Sequence, residues 1–182
     1  MSLPIEIINA SKSVRAFQQE HEMTRCCAQA MALFKAYTRE FDVKVVSGVI
    51  KFFVEGREYE LEHIWGVYEG EIIELVPEWY KKQSKIRYYS LEQWLKVNRG
   101  DKEVINICVK QCVGLKKSVL NLVENFDAGA IKLAMLDTHE QSNRRFQFIR
   151  QECRRRGLVP NQKNISALEL ELQREYGLNY FE

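Results

Sequence analysis

The sequence predicts an α+β fold: a helix packed on a small antiparallel sheet, followed by a helical C-terminal half. Two patterns carry the prediction. Between Val43 and Glu74, runs rich in Val, Ile, Phe, Tyr and Trp are broken by Glu55-Gly56 and Glu69-Gly70, the signature of strands joined by tight turns. From Ser90 onward, apolar residues recur every three or four positions, the period of a helix with one buried face. With 182 residues, 46% of them hydrophobic, the chain can bury a well-formed core. The change of period divides it into residues 1–89, an α+β core, and residues 90–182, a helical extension packed on that core.

Charge and cysteine usage narrow the chemistry. Lys and Arg number 27 against 25 Asp and Glu, so the net charge of +2 says little about partners by itself. No apolar run reaches the roughly 18 residues that span a bilayer. The N-terminal segment lacks the basic, apolar and small-residue order of a secretory leader. The expectation is a cytoplasmic protein without a membrane partner. Five cysteines, an odd number, fit reduced thiols better than a disulfide framework. No Cys-x-x-Cys pair or paired-His motif has the spacing of a zinc site, so no metal or other cofactor is expected. Nothing in the sequence sets the oligomeric state.

Pro4 to Ile8 reads as a strand or packed arm, with Asn9 and Ser11 as candidate caps for a helix from about Ser13 to Glu20 that buries Val14 and Phe17. Glu22-Met23-Thr24 makes a break. Thr24 then caps a helix from about Arg25 to Arg39, whose stripe of Cys26, Ala30, Leu33, Phe34 and Tyr37 faces the core. Cys26 heads that stripe from the first turn, where unpaired N–H groups and the helix dipole stabilise a thiolate. Cys27 is turned about 100° away, so only one of the two can face a given cleft; packing as small core hydrophobes is the alternative for both.

Val43 to Val54, with Gly48 inside it, reads as a strand, and Tyr59 to Glu62 leads into a hairpin, His63-Ile-Trp-Gly-Val-Tyr-Glu-Gly-Glu-Ile-Ile-Glu74. With Glu69-Gly70 as a two-residue turn, Trp65 pairs with Glu74, and His63 lies diagonal to Glu74 on the same face. A slip of one residue would move Glu74 to the other face. A further strand from Ile86 to Tyr89 completes three or four antiparallel strands.

In the helical half, Ser90 with Gln93 forms a capping box for a short helix that ends at Gly100. Asp101 caps a longer one in which Ile105, Cys108, Cys112, Leu115, Val119 and Leu122 make a stripe. Cys108 and Cys112 have metal-ligand spacing but sit within that stripe, so core packing is favoured. Asp127-Ala-Gly129 is a break before a short helix from Ala130 to Leu136. Asp137 with Glu140, or Thr138 with Gln141, opens a helix to Gly157, and Ser166 with Glu169 opens the last one, ended by Gly177. Arg150, Arg154, Arg155 and Arg156, with Arg144 and Arg145, form a candidate anion-binding surface. A solvated helix face is the simpler explanation, and the absence of a helix-turn-helix spacing or aromatic stacking platform disfavours nucleic acid.

A cysteine nucleophile needs a base to share its proton and a third group to orient that base. Here a cysteine at a helix N-terminus is followed by a strand, a histidine opening a hairpin strand, and a carboxylate on the next strand. Arg25-Cys26-Cys27-Ala28-Gln29-Ala30-Met31-Ala32-Leu33 resembles the nucleophile helix of the transglutaminase-like branch of the papain-like cysteine proteases, with Ala four and Leu seven residues after Cys26. Val45-Val46-Ser47-Gly48 resembles the strand that follows in that family, and His63-Ile64-Trp65 its His-x-Trp signature. The nearest subgroup pattern is that of lasso-peptide maturation proteases. The similarity covers roughly Thr24 to Val76. Glu74 stands where the family carries Asp, one methylene longer, and Cys27 duplicates the nucleophile, with only the Ala30 and Leu33 spacing favouring Cys26.

The resemblance implies a papain/transglutaminase-like core and a Cys26, His63 and Glu74 triad: nucleophile, general base and acid, and orienting carboxylate. It implies attack on a peptide or protein amide, or an ester, an acyl-thioester intermediate, and transfer to water or an amine. The oxyanion would be held by the backbone N–H of Cys26 and by Gln18 or Gln19, while Trp65 walls the site. The alternative is an inactive module of the same fold that binds an acidic protein or nucleic acid through its basic C-terminal helix.

Overall fold

The computed structural model describes residues 3–23, 27–54, 56–75 and 86–177. It is α+β, with six helices and a four-stranded antiparallel sheet among those residues. The chain divides into two compact units, residues 1–135 and 136–182.

Helix α1 spans Ile5–Glu20, so the segment read as a strand or arm is helical from Ile5 onward, with Pro4 at its cap. Ile5 and Ile7 mimic a strand alternation over too short a window. The buried residues Ile7, Ala10, Val14 and Gln18 stand three or four apart and carry the helical stripe back to the first turn. Helix α2 spans Cys27–Tyr37 and buries Ala28 and the whole run Ala30 to Phe34. Burial around most of its circumference makes it a central helix rather than one with a single apolar stripe. Tyr37, assigned to that stripe from the sequence, is 39% exposed. Thr24, read as its cap, lies outside the described residues.

Strands β1 (Lys44–Val54), β2 (Arg57–Tyr68), β3 (Glu71–Ile73) and β4 (Arg87–Ser90) form a sheet in the order β3-β2-β1-β4. The β2–β3 turn is the two-residue one expected: Tyr68 pairs with Glu71, and Glu69 and Gly70 adopt φ of 49° and 86°. Positive φ at both central positions matches the twist of the flanking strands. Gly66 pairs with Ile73, which sets Trp65 opposite Glu74, one residue past the end of β3. In β1, Gly48 pairs with His63 on one side and Ser90 on the other. A Cβ at Gly48 would lie 2.0 Å from the Tyr89 carbonyl oxygen, so the approach of β4 requires glycine here.

Helix α3 (Leu91–Val97) starts from the Ser90–Gln93 capping box, and α4 (Lys102–Asn125) from Asp101, whose carboxylate accepts from the N–H groups of Glu103 and Val104. Cys108 and Cys112 are core residues, clustered with Val49 and Trp94, and the Cys112 thiol donates to the Gly48 carbonyl at 3.3 Å. Burial pushes the Cys108 thiol up to about 12, and a neighbouring Cys112 and Glu62 push the same way, so it is inert as a nucleophile at neutral pH. Ile50, Phe52 and Trp65 form a separate cluster, with Cys27, Val46, Val67 and Tyr88 packed against it. The division read after residue 89 separates the sheet from α3 and α4, which share its compact unit.

The break read before Ala130 is the start of α5 (Ala128–Arg155), where the Asp127 carboxylate accepts from the Ala130 N–H at 2.7 Å. This helix then runs through Asp137 and Thr138 without the second start read there. Asp137 accepts instead from the Gln141 side chain one turn on, a bond that holds within a continuous helix. Helix α6 (Gln162–Tyr176) begins a turn earlier than Ser166, because the Asn161 side chain caps it by accepting from the Asn164 N–H. Within the second unit Ile149, Cys153, Ile165, Leu168 and Leu172 form the core. No helix among the described residues is long and apolar enough to cross a membrane.

Candidate active site

Strand alternation sets His63 and Trp65 on the same face of β2, two residues apart. The two-residue turn returns the chain so that the diagonal neighbour of His63 is Glu74. His63 Nε2 and Glu74 Oε2 are 2.9 Å apart. The ring is 2% exposed and the carboxylate only partly covered, so the pair sits at the edge of the interior. Trp65 lies nearly parallel to the imidazole, with ring centroids 6.2 Å apart, and packs edge-on against Tyr88 at 5.3 Å. It covers the His63 ring on one side.

The thiol of Cys27, at the start of the described part of α2, lies close enough to the His63 ring to raise its pKa. Burial, the largest single influence, pulls the His63 pKa down. The interactions with Cys27 and Glu74 outweigh it and leave the value raised to about 9. Cys27 is partly buried against the Trp65 cluster. Cys26, read from the sequence as the nucleophile, lies outside the described residues.

Two residues missed in the sequence complete the surroundings. Tyr88 Oη donates to Glu74 Oε2 at 2.9 Å, the same oxygen that meets His63. The Arg15 guanidinium in α1 donates to the backbone carbonyl of Glu74. Neither carries a local sequence signal. Each comes to Glu74 from a distant element, and only the folded topology brings them together. Of the two oxyanion candidates on α1, Gln18 is 5% exposed, whereas Gln19 is exposed to solvent.

Four of the arginines in and just after α5 pair with carboxylates. Arg155 and Arg156 meet Glu152 at 2.6 and 2.8 Å, and Arg156 also meets Glu171 at 2.7 Å. Arg145 pairs with Glu169 and Arg144 with Glu140. Arg150 lies over the Phe146 ring, and Arg154 is exposed. Much of the positive charge on this helix is therefore balanced in place. Among the described residues no group of three or more His, Cys, Asp and Glu side chains converges as a metal site requires. A groove of about 750 Å³ lies between residues 45–47 of β1 and helices α3 and α4. Its lining shares Val46 with the Trp65 cluster but contains neither His63 nor Cys27. Comparison with protein-family models, curated proteins and solved structures finds no match to this chain.

Proposed function

We propose that this protein is a thiol-dependent hydrolase or acyltransferase of the transglutaminase-like, papain-like kind, acting on a peptide or protein amide or an ester through Cys27, His63 and Glu74. One observation carries the proposal: a buried imidazole that meets a carboxylate at 2.9 Å and is coupled to a thiol near the start of α2. The order of helix, strand, His-x-Trp strand and carboxylate supports it.

Proton transfer from the Cys27 thiol to His63 gives a thiolate beside an imidazolium, and the Glu74 carboxylate stabilises the ring charge and fixes its orientation. The sulfur attacks the carbonyl carbon. The oxyanion that develops is held by the Cys27 backbone N–H and by Gln18, the buried one of the two glutamines. Collapse breaks the C–N or C–O bond as the leaving group takes the His63 proton, giving an acyl thioester. Water or an amine then attacks, losing its proton to His63, and the C–S bond breaks to regenerate the thiol.

Alkylation with iodoacetamide at neutral pH, followed by peptide mapping, tests this reading. Cys27 is expected to be modified at least tenfold faster than Cys108, Cys112 and Cys153, and His63→Ala to abolish the preference. Uniform labelling, or a fast cysteine that survives Cys27→Ser and is lost in Cys26→Ser, would overturn the assignment to Cys27.

A further inference from the structure

We propose that Tyr88 is a positioning residue for this site, holding the Glu74 carboxylate where it can meet His63. The inference rests on the triad reading above and adds a fourth side chain to it. Glu has one more rotatable bond than Asp, so a carboxylate carried by Glu74 reaches further than Asp would and is less constrained by its backbone. The protein restrains it at two points. Arg15 fixes the backbone carbonyl of Glu74, and the Tyr88 hydroxyl fixes Oε2, 2.9 Å away, so the oxygen facing Nε2 has a second anchor. Tyr88 is itself held: its ring meets the edge of Trp65, which lies over the imidazole. Because β4 and β3 lie at opposite ends of the strand order, the hydrogen bond also ties the two outer parts of the sheet together over the site.

The titratable and charged groups that the described elements bring to this pair are Cys27 from α2, Arg15 from α1 and Tyr88 from β4. A phenol donating to a carboxylate spreads its charge, which alone would weaken the pull on His63. Holding the carboxylate in contact strengthens it. The two effects have opposite signs, so the direction of the change on removing the hydroxyl decides between them.

The experiment is NMR titration of the His63 ring in the full chain, in wild type, Tyr88→Phe, Glu74→Gln and the double variant. Phe retains the ring that packs on Trp65 and removes only the hydroxyl. Positioning predicts that the His63 midpoint falls by about one unit in Tyr88→Phe, a tenfold change in proton affinity, and that the same substitution moves nothing in the Glu74→Gln background. A midpoint that stays or rises, or that drops equally in both backgrounds, overturns the proposal. Should Tyr88→Phe fail to fold, the Tyr88 ¹³Cζ shift in folded Glu74→Gln gives the same coupling from the other side: displacement supports it, identity with wild type refutes it. Failure of the thiol reading is separable, since Cys27 would then be unreactive toward iodoacetamide whatever the titration cycle gives.

Discussion

Replacing Glu74 by Gln removes the charge beside His63 while keeping an oxygen that can accept from the ring, so it isolates the ionic part of the pair. The folded-state value of His63 is raised to about 9 from an ordinary 6.5. A raised histidine contributes stability that is full below its unfolded value and is lost as pH climbs through its folded value. Between about pH 6 and pH 10, folding should therefore weaken, by up to about 3 kcal/mol from this group. A hydrogen bond to a charged partner is worth roughly 1 kcal/mol more than one to a neutral partner. The pH-dependent loss in Glu74→Gln should shrink accordingly, by about 1–2 kcal/mol. Urea unfolding of both proteins at each pH measures this, and every other group that titrates in the range is common to the two and cancels in the comparison. Parallel stability–pH curves for wild type and variant would refute the claim that Glu74 sets the charge state of His63.

Two further substitutions test the frame that holds the site. Gly48→Ala places a methyl 2.0 Å from the Tyr89 carbonyl oxygen and 2.9 Å from two backbone atoms of Ser90. Backbone cannot yield as a side chain can, so chemical denaturation should show a loss of more than about 3 kcal/mol, and little change would place β4 differently. Asp101→Ala removes the acceptor for two N–H groups at the start of α4 and should cost about 1 kcal/mol. A cost near zero in thermal melting would mean that water replaces the cap without penalty.

The hairpin and the caps were legible because their signals are local. Glu69-Gly70 specifies a two-residue turn, that turn specifies the register, and the register sets His63 diagonal to Glu74. Ser90-Gln93 and Asp101 announce helix starts by chemistry complete within four residues. The errors occur where a local signal was ambiguous. Asp127-Ala-Gly129 is a break and a helix start at once, and the polar pairs at Asp137 and Thr138 serve equally as caps or as exposed neighbours one turn apart in a continuous helix. Tyr88 and Arg15 were invisible for a different reason: their partner lies 14 and 59 residues away, on elements whose mutual arrangement no short window encodes.

The choice between Cys26 and Cys27 combines both kinds of limit. A helix starting at Arg25 aims Cys26 at the core, and one residue along a helix turns a side chain by about 100°, so the two thiols cannot face the same cleft. The spacing that favoured Cys26 rests on Ala30 and Leu33, four and seven residues on. Counted from Cys27 the same steps reach Met31 and Phe34, and all four are buried. In a central helix, apolar residues at these offsets follow from either cysteine, so the spacing has no power to discriminate. What would discriminate is contact with the imidazole. His63 is fixed by a strand register independent of where α2 starts, and its thiol partner among the described residues is Cys27. The reacting cysteine is therefore identified by its coupling to the base, which alkylation of Cys26→Ser and Cys27→Ser reads directly, and not by the pattern downstream.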